Sequence, residues 1–190
     1  DLDNDTDLDL FFANGHLNSV SGDNRQSNLL FENDGGGQFT DISERSGVLS
    51  TGNRIHRSAI FADYDDDGKV DIFVTVNGQQ VEDGQGNNIF DPNQGRGVLF
   101  HNETKSDNNW IKVRLEGTKS NRDGFGATVA IKAGSIKDKQ ALVSGQGYFS
   151  AHAKEIYFGL GSVKSIDKIK VSWPSGMDQT FENIPANQTV

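Results

Sequence analysis

The chain has 190 residues and a formal charge of −9, with 34% apolar residues, 22 glycines, 3 prolines and no cysteine. The missing thiols exclude a disulfide framework and any thiolate metal site, and no apolar run approaches the roughly 18 residues of a membrane span. Residues 1–104 hold 19 acidic and 6 basic side chains, net −13, while residues 105–190 hold 8 and 12, net +4; so acidic a first part argues against nucleic acid as a partner.

Residues 1–9 read Asp-x-Asp-x-Asp-x-x-x-Asp, and Leu10, Phe11, Phe12 and Ala13 follow as a short buried strand. Asn14-Gly15 predicts a turn, and residues 18–28 a polar loop. Leu29 to Phe31 is a second strand, ended by Asn33-Asp34-Gly35-Gly36-Gly37, and Phe39 to Ile42 alternates as a half-buried strand should. The opening pattern then returns 62 residues later: Ile60 to Ala62, an acidic loop at 63–71, a strand through Val76, Asn77-Gly78, a long polar loop over 79–97, and Val98-Leu99-Phe100-His101-Asn102 echoing Leu29-Leu30-Phe31-Glu32-Asn33. A period near 60 made of short strands predicts blades of a β-propeller. Two blades cannot close a ring, so the chain reads as the C-terminal part of a longer polypeptide.

Composition shifts near residues 105–108, and strand patterns then follow closely: Ile111-Val113-Leu115, Ala127-Val129-Ile131, Ile156 to Phe158, 166–173 and Thr180-Phe181. No segment sustains a 3.6-residue period. The expected fold is all-β: about two blades in residues 1–104, followed by a small β-sandwich or partly open barrel in residues 105–190.

The acidic loops carry the chemistry. Calcium takes six to eight oxygens, and Asp at positions 1, 3, 5 and 9 with the carbonyl of position 7 supplies several of them from one tight turn. The expected ligands are Asp1, Asp3, Asp5, the Asp7 carbonyl and Asp9 in the first loop, and Asp63, Asp65, Asp67, the Lys69 carbonyl and Asp71 in the second. Gly68 at position 6 permits the sharp turn; Thr6 stands there in the first loop and makes that turn less comfortable. An EF-hand needs a bidentate Glu at position 12 and flanking helices, whereas Phe12 and Val74 stand there among strand formers. The alternative is an Asp-rich turn without metal. If calcium binds, an all-carboxylate cage implies a structural role rather than catalysis.

On these residues the segments 1–15 and 61–78 resemble FG-GAP (VCBS-type) repeats, the calcium-binding propeller blades also found in integrin α chains, with Asn33-Asp34-Gly35 and Gln38-Phe39-Thr40-Asp41-Ile42 resembling the linking segment. Asn109-Trp110-Ile111-Lys112-Val113, residues 117–127, Gly147-Tyr148-Phe149-Ser150, Phe158-Gly159-Leu160-Gly161, residues 171–176 and residues 183–188 resemble the ASPIC/UnbV domain of the cartilage acidic protein family. The resemblance implies a calcium-binding extracellular, periplasmic or surface protein, and it transfers no reaction.

Other residues carry competing readings. Asn121-Arg122-Asp123-Gly124 could bind a ligand, but a turn with Arg122 paired locally is favoured. Trp173 could be an exposed platform for sugar, but packing beside Ile169 and Val171 is favoured. His16, His56, His101 and His152 lack ligand spacing and read as turn or surface residues; no serine sits in a nucleophile elbow. The expectation is a non-enzymatic calcium-binding module for protein or glycan recognition, its loops at 79–97 meeting the partner. The rivals are the end of a carbohydrate-active enzyme whose site lies upstream, and a structural cap on a propeller.

Overall fold

The computed structural model describes residues 1–15, 26–77, 80–82, 84–85, 88–90 and 95–190. Among these the regular structure is nearly all strand, with one 3-10 turn at Val48–Thr51. Strands β1 (Leu10–Phe12), β2 (Leu29–Asn33) and β3 (Phe39–Asp41) form an antiparallel sheet in that order. Strands β4 (Ile55–Ala62) and β5 (Asp71–Asn77) begin a second sheet. The strands β6 (Gln80–Glu82) and β7 (Asn88–Phe90) pair as a hairpin, and β8 (Val98–Phe100) completes the β4-β5-β8 sheet. The hairpin corrects the expectation of continuous loop over 79–97: Val81 pairs with Ile89 across a glycine-containing connection. His16, residues 17–25, Gly78 and residues 79, 83, 86–87 and 91–94 lie outside the described residues.

Strand periodicity explains how the sheets stack. Pairing puts Leu10, Phe12, Leu29 and Phe31 on one face of the first sheet and Phe11 and Leu30 on the other. At the matching repeat positions Ile72, Val74, Val98 and Phe100 share a face, with Phe73 and Leu99 opposite. Phe11 meets Phe100 with ring centroids 6.2 Å apart, so the Phe11 face of one sheet covers the Phe100 face of the next. Ile72 and Val74 are therefore 4% and 0% exposed, while Leu10 and Phe12, their counterparts on the uncovered face, are 43% and 46% exposed. Asn14-Gly15 makes no left-handed turn at Gly15: Asn14 O accepts the His56 amide at 3.0 Å, and a Cβ on Gly15 would meet the Ile55–His56 backbone at 2.9 Å.

The rest of the chain forms two further sheets. Strands β9 (Asn109–Arg114), β10 (Thr128–Ala133), β11 (Ile136–Ala141), β12 (Glu155–Gly161), β13 (Ser165–Ser172), β14 (Asp178–Pro185) and β15 (Gln188–Thr189) assemble as β11-β10-β13-β14 and β12-β9-β15, with β15 parallel to β9. Ile111, Val113, Ile156, Phe158 and Leu160 from the smaller sheet meet Val129, Ile131, Ile169 and Val171 from the larger in one core. Each such residue stabilises the fold by roughly 1.5–3 kcal/mol. The polar β11 escapes sequence reading because it is mostly exposed and is held by its pairing with β10. Trp173 packs against the core and donates its ring N–H to Gln179 Oε1 at 2.6 Å, as the packing reading expects. Arg122 pairs with Glu116 at 3.1 Å, the local pairing expected of that turn, while Asp123 pairs with the more distant Lys154 at 2.7 Å.

Candidate metal centres

The two acidic loops fold alike and share most of their internal hydrogen bonds. In the first, the Asp1 carboxylate accepts the Asp5 and Thr6 amides at 3.0 and 3.2 Å; in the second, Asp63 accepts those of Asp67 and Gly68, both at 3.0 Å. Asp5 accepts the Asp7 amide at 2.9 Å, as Asp67 accepts that of Lys69 at 2.8 Å. At position 9, Asp9 takes the Leu2 and Asn33 amides at 2.7 and 3.0 Å, and Asp71 takes those of Tyr64 and Asn102 at 3.1 and 2.7 Å. Position 4 is left-handed in both, with φ 62° at Asn4 and 60° at Asp66, and so is position 6, with φ 90° at Thr6 and 87° at Gly68.

This wiring converges the carboxylates. One oxygen each from Asp1, Asp3 and Asp5 lie within 4.8 Å of one another, as do those of Asp63, Asp65 and Asp67. Three hard oxygen donors at such spacing fit calcium, and the carbonyls of Asp7 and Lys69 remain the expected additions. Among the described residues Asp9 joins no such group, and Asp71 groups with Asp65 and His101 instead. His101 Nδ1 lies 3.1 Å from Asp71 and 3.7 Å from Asp65. Sequence reading set His101 aside for want of ligand spacing; the repeat was the signal, because His101 occupies the position of Glu32 beside the first loop. Burial, with the neighbouring Asp5 carboxylate next, raises the Asp3 carboxyl above the ordinary aspartate value. A cation in the loop would relieve that crowding.

Both loops sit on the paired strands β9 and β12. Asp1 and Asn4 lie against Gly159, where a Cβ would stand 2.0 Å from an Asp1 carboxylate oxygen, and Gly161 donates its amide to Asn4 O at 2.9 Å. Ser106 and Asn108 donate to Asp3 O at 2.9 and 3.0 Å. The second loop lies on Trp110, which occupies the space a Cβ on Gly68 would need, at 1.9 Å. Asn4 Nδ2 donates to Gly68 O at 3.1 Å and so ties the loops to each other.

Lys112 is the residue that the pattern concealed. Alternation with Ile111 and Val113 puts it on the outer face of β9, yet its side chain is 0% exposed because the second loop covers that face. Its Nζ donates to Asp63 Oδ2 at 3.0 Å and to Asp66 Oδ1, and stands 5.8 Å from the Tyr157 ring centroid. Burial pushes this ammonium toward deprotonation, but its bonds to Asp66 and Asp63 outweigh that and raise its pKa. Tyr157 accepts the Asp63 amide at 3.3 Å and donates to Glu155 at 2.7 Å; burial and then that carboxylate raise the phenol strongly.

His56 is no surface residue: it is buried on β4, with Nδ1 3.2 Å from Asn14 O and 3.1 Å from Gln26 O, and Nε2 3.3 Å from the Thr51 hydroxyl. Phe61 donates its amide to His152 Nδ1 at 3.2 Å.

Comparison with known proteins gives two family matches along the chain. Residues 1–74 match the FG-GAP-like repeat, and residues 117–190 match ASPIC and UnbV. The human protein named cartilage acidic protein 1 is 26% identical over 179 residues, covering 93% of this chain and 24% of its own length. This chain thus spans about a quarter of that relative. Strand β9, which carries Trp110 and Lys112, lies between the two family matches. The chain combines FG-GAP-like repeat sequence with an ASPIC and UnbV segment, in the order its motifs anticipate.

Proposed function

We propose that the chain is a calcium-stabilised module of an extracellular or cell-surface protein, non-enzymatic in itself, that presents a rigid surface for recognition of a protein or a glycan. The observation that carries this reading is the duplication of one carboxylate frame, with both copies seated on the β9–β12 pair. The proposed ligands are Asp1, Asp3, Asp5, the Asp7 carbonyl and Asp9, and Asp63, Asp65, Asp67, the Lys69 carbonyl and Asp71. Calcium would then fix the repeat segment, taken as residues 1–104, against the segment of residues 105–190. FG-GAP-like and ASPIC/UnbV sequences support a recognition role. Affinities of roughly 10⁻⁴–10⁻³ M suffice for an extracellular module.

The test is thermal unfolding in EDTA and in millimolar calcium. Calcium is expected to raise Tm, and a variant carrying Asp3→Asn, Asp5→Asn, Asp65→Asn and Asp67→Asn should lose that response. An unchanged calcium response in the variant would overturn the assignment. The docking of both loops on β9 and β12 also favours a second reading, a structural cap without a ligand of its own. Failure of the calcium-loaded chain to bind any member of an extracellular glycan or protein array would favour that reading.

A further inference from the structure

The two loops share one backbone and one hydrogen-bond frame, but their electrostatic surroundings differ. At the second, the ammonium of Lys112 is buried against the position-1 carboxylate of Asp63, and that carboxylate is itself fully buried. At the first, the corresponding carboxylate of Asp1 lies against the backbone at Gly159, with no lysine or arginine paired to Asp1, Asp3 or Asp5 among the described residues. The α-amino group of Asp1 is largely buried 3.9 Å from Asp9, with Asp3 and Asp5 as its further charged neighbours.

We propose that Lys112 is a built-in cation that makes the second loop the weaker and less calcium-dependent of the two, holding it closed and docked on β9 when calcium is absent, while the first loop depends on the metal. The inference rests on the calcium reading above. Its physical basis is elementary. A buried ammonium neutralises part of the charge that would otherwise force Asp63, Asp65 and Asp67 apart, and it repels a divalent ion entering beside it. It also bridges the two segments: Lys112 belongs to β9, whereas Asp63 and Asp66 belong to the loop between β4 and β5. The second loop should therefore keep its place on β9 in EDTA, and calcium should act mainly through the first.

The experiment is calcium titration by calorimetry, with parallel unfolding in EDTA, on the whole chain. Asp65→Asn with Asp67→Asn leaves the first loop to be measured, and Asp3→Asn with Asp5→Asn leaves the second. The first should bind calcium at least tenfold more tightly. Adding Lys112→Met to the chain with the first loop disabled should tighten the second by tenfold or more; it should also lower Tm in EDTA more than in calcium. Lys112→Arg keeps the charge and should leave the second loop weak. Equal affinities in the two loop variants would overturn the proposal, and they decide it even if Lys112→Met does not fold. An affinity that Lys112→Met shifts by less than twofold would also overturn it. Absence of calcium binding in the unaltered chain would instead sink the underlying calcium reading, a result distinguishable from the other two.

Discussion

Thr6 and Gly68 occupy the same point of two superimposable turns, at φ 90° and φ 87°. Glycine enters that region at little cost, whereas a β-branched residue there is strained. Their surroundings differ too, because Trp110 fills the space beside Gly68.

Thr6→Gly should therefore stabilise the chain, by roughly 1 kcal/mol, from relief of left-handed strain partly offset by the added freedom of the unfolded glycine. Gly68→Ala should destabilise it by more than that, because the new methyl must displace the Trp110 ring. Denaturant unfolding of both variants checks the opposite signs.

The uncovered and covered sheet faces make a second pair of opposite expectations. Phe12 and Val74 hold the same repeat position, yet Val74 is fully buried and Phe12 is half exposed. Val74→Ala should cost about 1.5–3 kcal/mol, in the range for deleting buried methyls. Phe12→Ser should cost less, although it removes far more side chain. Equal losses in urea unfolding would mean that the Phe12 face is covered in solution.

Two histidines, His56 buried and His152 half-buried, shape the acid limb of stability. Burial lowers the pKa of His56, with the Asn14 and Gln26 carbonyls opposing and Arg54 adding to the effect; burial likewise lowers that of His152. The unfolded chain then takes up protons first as pH falls. The stability these neutral rings supply is complete above the unfolded value near 6.5 and is lost as pH falls toward the lower folded values. Tm should decline from about pH 7 downward, and His56→Gln should flatten that slope. A slope unchanged in both His56→Gln and His152→Gln would refute the assignment.

The core and the aromatic loop tip should respond differently. Phe158 is buried between the two C-terminal sheets, and Phe158→Ala should cost about 3–5 kcal/mol. Phe149 is 93% exposed at φ 48°, so Phe149→Gly should be neutral or slightly stabilising. Thermal unfolding of the two variants side by side provides the check.

Local rules carried much of this protein in plain sight of its sequence. Alternation and turn residues disclosed most strands, the 62-residue repeat disclosed two equivalent sheets, and Asp at positions 1, 3, 5 and 9 disclosed both loops, because each of these signals is a property of neighbours along the chain. Polar β11 and the short hairpin inside 79–97 were not legible because neither shows a sustained apolar alternation, and the burial of His56 was not legible because its partners Asn14 and Gln26 are distant in sequence. Tertiary structure alone decided which blade face is covered, that both loops rest on β9 and β12, and that His101 stands beside Asp71. It also decided the fate of Lys112. A lysine alternating with Ile111 and Val113 reads as a solvated outer face, and it became a buried counter-charge only because a loop more than forty residues earlier folds over it. Periodicity reports which side of a strand a residue takes; what lies on that side is set by packing between segments that the local pattern does not encode.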